Sequence, residues 1–311
     1  MDARASLDTD AIRRQVAAAL AANRAPGFHY PGFLLGLRWP RIGENDLEEA
    51  MPDGALARNV DGSLNLAAFC VLLDTALATA ARLKAGGGVR QATVHLHAQF
   101  TGAPLRGDAK ALARFEGYAP AAQTRQLMTR GTLYAGGEAV CHASGTFVVL
   151  PAPPGVNLGP LPWQRTAEAP PPPLKRSEMK PDERAVVRAC DSALKRTGQR
   201  AFIEHFWGTL PVPGTDGARC SVRIGAQHGN RVGHVQGGLL FGLAAMTAQA
   251  AAPKHPQLSA VAAWYISPGQ GRALRIRSRC FHEGRSFAAV RTEIRNADGS
   301  RVLEVVSHHA A

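Results

Sequence analysis

The feature that most constrains this 311-residue chain is that it repeats itself. Asn59-Val60-Asp61-Gly62-Ser63-Leu64-Asn65-Leu66-Ala67 runs into the apolar stretch AFCVLLDTALATAARL. Asn230-Arg231-Val232-Gly233-His234-Val235-Gln236-Gly237-Gly238 runs into LLFGLAAMTAQAA. The two align without a gap at an offset of 171, which sets Asn59 on Asn230, Gly62 on Gly233, Asn65 on Gln236, Leu72 on Leu243 and Asp74 on Ala245. Downstream, 100–117 corresponds to 265–284 and 130–145 to 291–308. In the last pair, alternating segments flank a glycine turn, Gly136-Gly137 or Asp298-Gly299, which predicts a hairpin. A repeat of this length means one unit folded twice.

The composition break between the copies is 151–183, where prolines favour extended backbone and oppose a helix or central strand. The expected organisation is a first domain over 1–150 with an N-terminal helix, a Pro-rich linker over 151–183, and a second domain over 184–311 beginning with a helix. Each half reads as a polar loop, a long apolar helix (65–83 and 236–252) and several strands. Asp74 is the only charge in these helices before Arg82 and Lys254. A helix that is apolar on all sides belongs in a core. An antiparallel sheet wrapped round a buried helix, an α+β arrangement, follows.

Charge and cysteine content narrow the partners. The net charge of +12 attracts anions. Aromatic residues are only 6% and no basic block interleaves with them, so no nucleic-acid partner is expected. No run of about 18 apolar residues is present, so neither a spanning helix nor a membrane partner is expected. The first residues carry Asp2, Asp8 and Asp10 and read as an amphipathic helix, not a signal peptide. Cys70, Cys141, Cys190, Cys220 and Cys280 are odd in number and contain no C-x-x-C pair, which argues against disulfides or a cysteine zinc site and for a cytoplasmic location.

Several residues could carry chemistry. Gly237-Gly238 opens the second helix, where free backbone N–H groups could hold an oxyanion; the same pair also suits a helix start that only needs tight packing. A carboxylate within an apolar helix, Asp74, needs partners or a cavity, and burial would raise its pKa toward that of a general base. His95 and His97 lie on a strand with Thr93, all three expected on one face, but no third ligand completes a metal site, and none is expected. His308-His309 is expected to fray at the chain end. No G-x-S-x-G elbow, P-loop, H-E-x-x-H or dinucleotide fingerprint occurs in context.

The pattern N-x-x-G-x-x-(H/Q)-G-G followed by a helix with L-x-D resembles the hot-dog-fold acyl-CoA thioesterases of the phenylacetate-pathway type. Tyr265-Ile266-Ser267-Pro268 is similar to that family's strand after the helix. The resemblance implies two tandem hot-dog domains paired as an intramolecular pseudo-dimer, with acyl-CoA as substrate and no cofactor beyond the coenzyme A that the substrate carries. In the family one subunit supplies the Asn and the Gly N–H, and the other supplies the acid and a Ser or Thr. Here the second half holds Asn230, Gly237 and Gly238, with Gln236 in place of His and Ala245 in place of the acid. The first half keeps Asp74 but has Asn65-Leu66-Ala67 in place of the glycine motif. The resemblance therefore implies one working site from Asp74, Thr93, Asn230, Gln236 and Gly237, and one relic around Asn59, Asn65 and Ala245. Gly238, Asn65 and Asn59 are the expected substrate-binding positions, with Phe69, Phe241 and Met246 lining the acyl groove. Two other readings stay open: a non-catalytic acyl-CoA or acyl-chain binder, and a dehydratase or hydratase, which would need a His absent from positions 65 and 236. Related proteins often pair further, so a homodimer of two-domain units is also open.

Overall fold

The computed structural model describes residues 8–86, 88–119, 126–165 and 171–311. Asp2 and part of the linker lie outside these.

The first half runs α1 (Thr9–Asn23), α2 (Tyr30–Leu35), β1 (Arg38–Ile42), β2 (Asp46–Met51), α3 (Leu66–Ala85), β3 (Arg90–Phe100), β4 (Ala109–Ala119), β5 (Gln126–Ala135) and β6 (Glu138–Leu150). The second runs α4 (Pro181–Arg196), α5 (Phe202–Trp207), β7 (Val212–Gly214), β8 (Gly217–Arg223), α6 (Gly237–Ala251), β9 (Gln257–Tyr265), β10 (Ala273–Glu283), β11 (Phe287–Asn296) and β12 (Arg301–Ala310). Apart from short 3₁₀ turns, the order of elements in the first half recurs in the second. The repeat therefore extends upstream of the loop motif to α1 and α4, where sequence similarity is not visible. The predicted hairpins form at both glycine turns, and the central helices begin where expected.

The strands make one twelve-stranded antiparallel sheet in the order β1-β2-β4-β5-β6-β3-β9-β12-β11-β10-β8-β7. The halves join at β3 and β9, which pair from His95 opposite Trp264 to Gln99 opposite Ala260. Alternation sets the faces. On β10, Leu274, Ile276 and Ser278 are buried while Arg275, Arg277 and Arg279 are exposed. The buried face wraps α3 on β2, β4 and β5, and α6 on β8, β10 and β11. The outer helices pack on each other, and ion pairs Arg13–Asp191 at 3.0 Å and Arg24–Glu183 at 2.7 Å tie α1 to α4.

The polar loops ahead of the two central helices match bond for bond. Asn59 N donates to Ser63 O at 2.7 Å, and Asn230 N to His234 O at 2.6 Å. Gly62 and Gly233 both turn through positive φ, 79° and 84°. Isolated bridges join Arg58 to Leu64 and Gly229 to Val235.

Four expectations change. With 20 residues, α3 is long and apolar enough to cross a membrane, contrary to the sequence reading, but most of it is buried as a core helix. The second-half helix starts at Pro181, inside the expected linker, because proline is well placed in a helix's first turn. The linker also contains 3₁₀ turns at Pro162–Gln164 and Arg176–Glu178, and its Leu158, Leu161 and Met179 are buried. His308 and His309 belong to β12 and do not fray: β12 is held on both sides by β9 and β11, and buried His309 shares a 2.8 Å hydrogen bond with Ser307.

The crossing of α3 and α6 depends on small residues. A Cβ at Gly242 would lie 2.5 Å from Ala67 Cα, in backbone that cannot yield. Gly242→Val is expected to destabilise the protein by about 3 kcal/mol through overpacking, read as a lowered urea midpoint.

Candidate active site

The helix crossing creates the site. Asn65 caps α3 and Gln236 caps α6. Gly238 packs on the second turn of α3, where an added Cβ would come within 2.2 Å of Cys70 O. This approach lays the first turn of α6 against Asp74. The carboxylate of Asp74, 4% exposed, is held by three donors. Oδ2 accepts from Gln236 Nε2 at 2.7 Å and from the Gly238 N–H at 3.0 Å, and Oδ1 accepts from the Thr93 hydroxyl at 3.0 Å. Burial raises the Asp74 pKa to about 6; the bonds from Thr93, Gly238 and Gln236 limit the rise.

Thr93 reaches Asp74 because of a β-bulge. The pairing of β3 with β6 shifts between Thr93 and His95. The extra residue turns Thr93 to the helix side, while His95 and His97, flanking buried Leu96, take the opposite face. The expectation that the three share a face is therefore corrected: plain alternation does not survive a bulge.

Asp74, Thr93, Asn230, Gln236 and Gly237 line one cavity of about 350 Å³. Asn230 closes its loop by accepting from Val232 N at 2.9 Å and His234 N at 3.0 Å. The Gly237 N–H makes no hydrogen bond among the described residues. A Cβ at Gly237 would lie 2.9 Å from Asp74 Oδ2, so only glycine leaves the carboxylate its place.

The three expected substrate-binding positions lie elsewhere. The Gly238 N–H is taken up by Asp74. Asn65 caps its own helix with Oδ1 and donates to Asn59 Oδ1 at 2.9 Å, while Asn59 donates to Ser63 Oγ at 3.0 Å. Both amides thus find their partners within their own loop. At the cap position itself the two halves differ by one methylene, Asn65 against Gln236. Gln236 also caps, with Oε1 accepting from Leu239 N at 2.7 Å, but its longer side chain carries Nε2 across to Asp74. Phe69 and Phe241 are fully buried in the core and, like Met246, do not line the cavity.

Of the other lining residues, Tyr265 was read from sequence only as part of the strand after the helix, and His29 and the linker residues were not singled out. Tyr265 donates to Gly237 O at 2.8 Å and fixes the first turn of α6. His29 accepts from Gly32 N through Nδ1 at 3.0 Å, so its proton sits on Nε2, which faces Thr75 Oγ1 at 3.4 Å. Burial, with Arg82 and Arg231 nearby, lowers the His29 pKa to about 3 and keeps the ring neutral. Burial and Arg231 lower the Arg82 pKa to about 9. From the linker, Leu158, Leu161 and Trp163 form part of the wall, and Leu158 O accepts from Arg231 Nη2 at 2.6 Å. No motif marks these positions, because chain folding alone brings them together. The groups at the cavity wall can hold a water between a base and neutral donors, beside a free N–H able to bind a carbonyl oxygen.

Residues 226–309 match the family model of the acyl-CoA thioesterase N-terminal domain. No curated protein matches the chain in sequence. Among solved structures, the chain is similar to a protein of Lactobacillus plantarum described provisionally as an oleoyl thioesterase, at 13% identity and TM-score 0.53, over 86% of this chain and 96% of that one. It is similar to a hot-dog protein of unknown function from Alicyclobacillus acidocaldarius at 10% identity and TM-score 0.50, over 88% and 96% of the two chains. It also resembles a protein of Novosphingobium aromaticivorans described provisionally as a thioesterase, at 13% identity and TM-score 0.51, over 88% and 97%. The chain thus has the hot-dog fold.

Because the Asp74 pKa of about 6 lies above the unfolded carboxyl value, the folded state binds this proton more tightly. Its contribution to stability is greatest below pH ~4 and declines as pH rises through about 6. Urea unfolding from pH 4 to 8 is expected to show a loss on the order of 2 kcal/mol that is absent from Asp74→Asn.

Proposed function

We propose that this protein is an acyl-CoA thioesterase built by tandem duplication, its two hot-dog domains (1–150 and 184–311) paired as a pseudo-dimer, with one composite active site between them. One observation carries the reading: Asp74 of the first half is bound by Gln236 and Gly238 of the second, at a cavity wall beside the unbonded Gly237 N–H. The repeated order of elements supports the duplication. So does the match of a family model for an N-terminal domain to the C-terminal half. The pair Asn59–Asn65, facing no acid, is then the relic site.

The roles follow from the geometry. The thioester carbonyl takes the Gly237 N–H, which stabilises the oxyanion as the carbon becomes tetrahedral. Three of the four lone-pair positions of Asp74 are occupied, leaving one on Oδ1 for a water. The second hydrogen of Gln236 Nε2 and the Thr93 oxygen are placed to orient that water. Asp74 removes its proton as the oxygen attacks, and collapse of the intermediate expels the coenzyme A thiolate, which takes up the proton. A carboxylate bound by three donors suits a general base better than a nucleophile.

Purified protein incubated with acyl-CoAs from short to long, aryl-acyl thioesters included, is expected to release free thiol. Asp74→Asn should lower kcat about a thousandfold. Loss of the Thr93 hydroxyl in Thr93→Ala, a bond to a charged group, should cost about tenfold to a hundredfold. Binding of acyl-CoA without thiol release from any member of the panel would make the protein a non-catalytic binder. Since only ionised Asp74 can act as base, kcat should climb about tenfold per pH unit below pH ~6 and level off above ~7.

A further inference from the structure

The outer face of the second-half sheet carries an array of arginines that hydrolysis does not use. Arg219, Arg223, Arg275, Arg277 and Arg279 alternate along β8 and β10 with buried residues, so all five point away from α6 and are exposed. None makes a side-chain hydrogen bond or ion pair among the described residues. No acidic side chain lies on β8 or on β10 between Ala273 and Arg279. On the neighbouring strands Arg291, Arg295 and Arg301 are matched by Glu293 and Glu304.

The pairing register makes the array costly. Arg277 sits directly opposite Arg219, Arg275 opposite Arg295, and Arg279 opposite Arg291. Like charges directly opposite each other on a sheet are destabilising. Glu293 stands opposite Arg277 but is already paired with Arg295 and Arg301. Three like-charge pairs on one face, with none of the five guanidiniums in an ion pair among the described residues, point to a polyanion outside the protein.

The shape of the face selects among polyanions. Arginines two apart on a strand are separated by about 6.8 Å and neighbouring strands by about 4.8 Å, so the charges form a lattice over the outer side of a sheet that wraps α6, not a groove. Single-stranded nucleic acid is bound by a groove with stacking aromatics, and duplex DNA by a helix or ribbon inserted in the major groove. The lattice has neither. Large apolar side chains instead stand exposed at one end of it: Phe281 (62%) and Phe287 (47%) on the β10–β11 hairpin. Arginines over lipid phosphates, with aromatics entering the headgroup boundary, suit a flat anionic bilayer. Surface docking needs no spanning segment, but it departs from the sequence reading, which expected no membrane partner. We infer that this face docks the protein on a membrane surface rich in anionic phospholipid. The inference is independent of the hydrolytic reading.

The test is co-sedimentation of the intact chain with vesicles of phosphatidylcholine alone and of phosphatidylcholine with about 30% phosphatidylserine. At about 0.1 M salt the protein should pellet with the anionic vesicles only, and about 0.5 M salt should release it. Combining Arg275→Gln, Arg277→Gln and Arg279→Gln should weaken binding by roughly fivefold per arginine, about a hundredfold in all. The same variant, relieved of its like-charge pairs, should melt no lower than the wild type. A control with the same loss of charge, Arg188→Gln, Lys195→Gln and Arg196→Gln on α4, should bind nearly as the wild type does. Absence of binding, equal binding to both vesicle types, an equal loss in the control, or a lower melting point for the sheet variant would overturn the proposal. Tighter binding of a short DNA duplex, lost in the sheet variant, would overturn it in favour of nucleic acid.

Discussion

The approach of α6 to α3 at Gly238 is the contact on which the rest of the structure depends. With no side chain there, the helix start comes down on the carbonyl of Cys70, and Asp74 meets the free N–H groups of the first turn. Gly242 against Ala67 is the other half of the same crossing. A carboxylate in an apolar helix would be costly alone, but here it receives three hydrogen bonds in place of water. Burial raises its pKa to about 6 and those bonds only partly offset it, so the group changes charge near neutral pH.

The two halves show how little separates a helix start that binds a carboxylate from one that bonds only within its own loop. Their loops share backbone hydrogen bonds and glycine turns nearly residue for residue. The outcome turns on side-chain reach. Asn65 can cap its helix and bond only within its own loop, whereas Gln236 caps and still crosses to the opposite helix. Position 245, aligned with Asp74, is alanine. The surrounding architecture stays intact because both loops still close their helix starts.

Much of this was legible before folding. The gapless repeat, the apolar helices and the glycine turns are local patterns, and local patterns persist. Asp74 and the loop residues could be singled out because a charge in an apolar helix and a glycine pair at its head are anomalies that need an explanation. The bulge beside Val94 could not be read, since it is an adjustment between two paired strands. The neutral ring of His29, the linker residues on the cavity wall and the arginines facing each other across β8, β10 and β11 were equally hidden. Each depends on segments far apart in the chain. The sequence reading placed Phe69 and Phe241 in the substrate groove because they lie on the central helices, but their faces point into the core.

The sequence alone determined that the two halves share a gapless loop-and-helix pattern, that each half holds a long apolar helix, and that the first half has an acid where the second has alanine. These follow from composition and periodicity, which act over a few turns of chain. Only the tertiary structure decided that the acid of one copy meets the helix start of the other, which side chains wall the cavity, and which face gathers unpaired charge. The physical reason is that hydrogen-bond reach and strand register are relations between distant segments, fixed only when the helices cross and the two sheets join at β3 and β9.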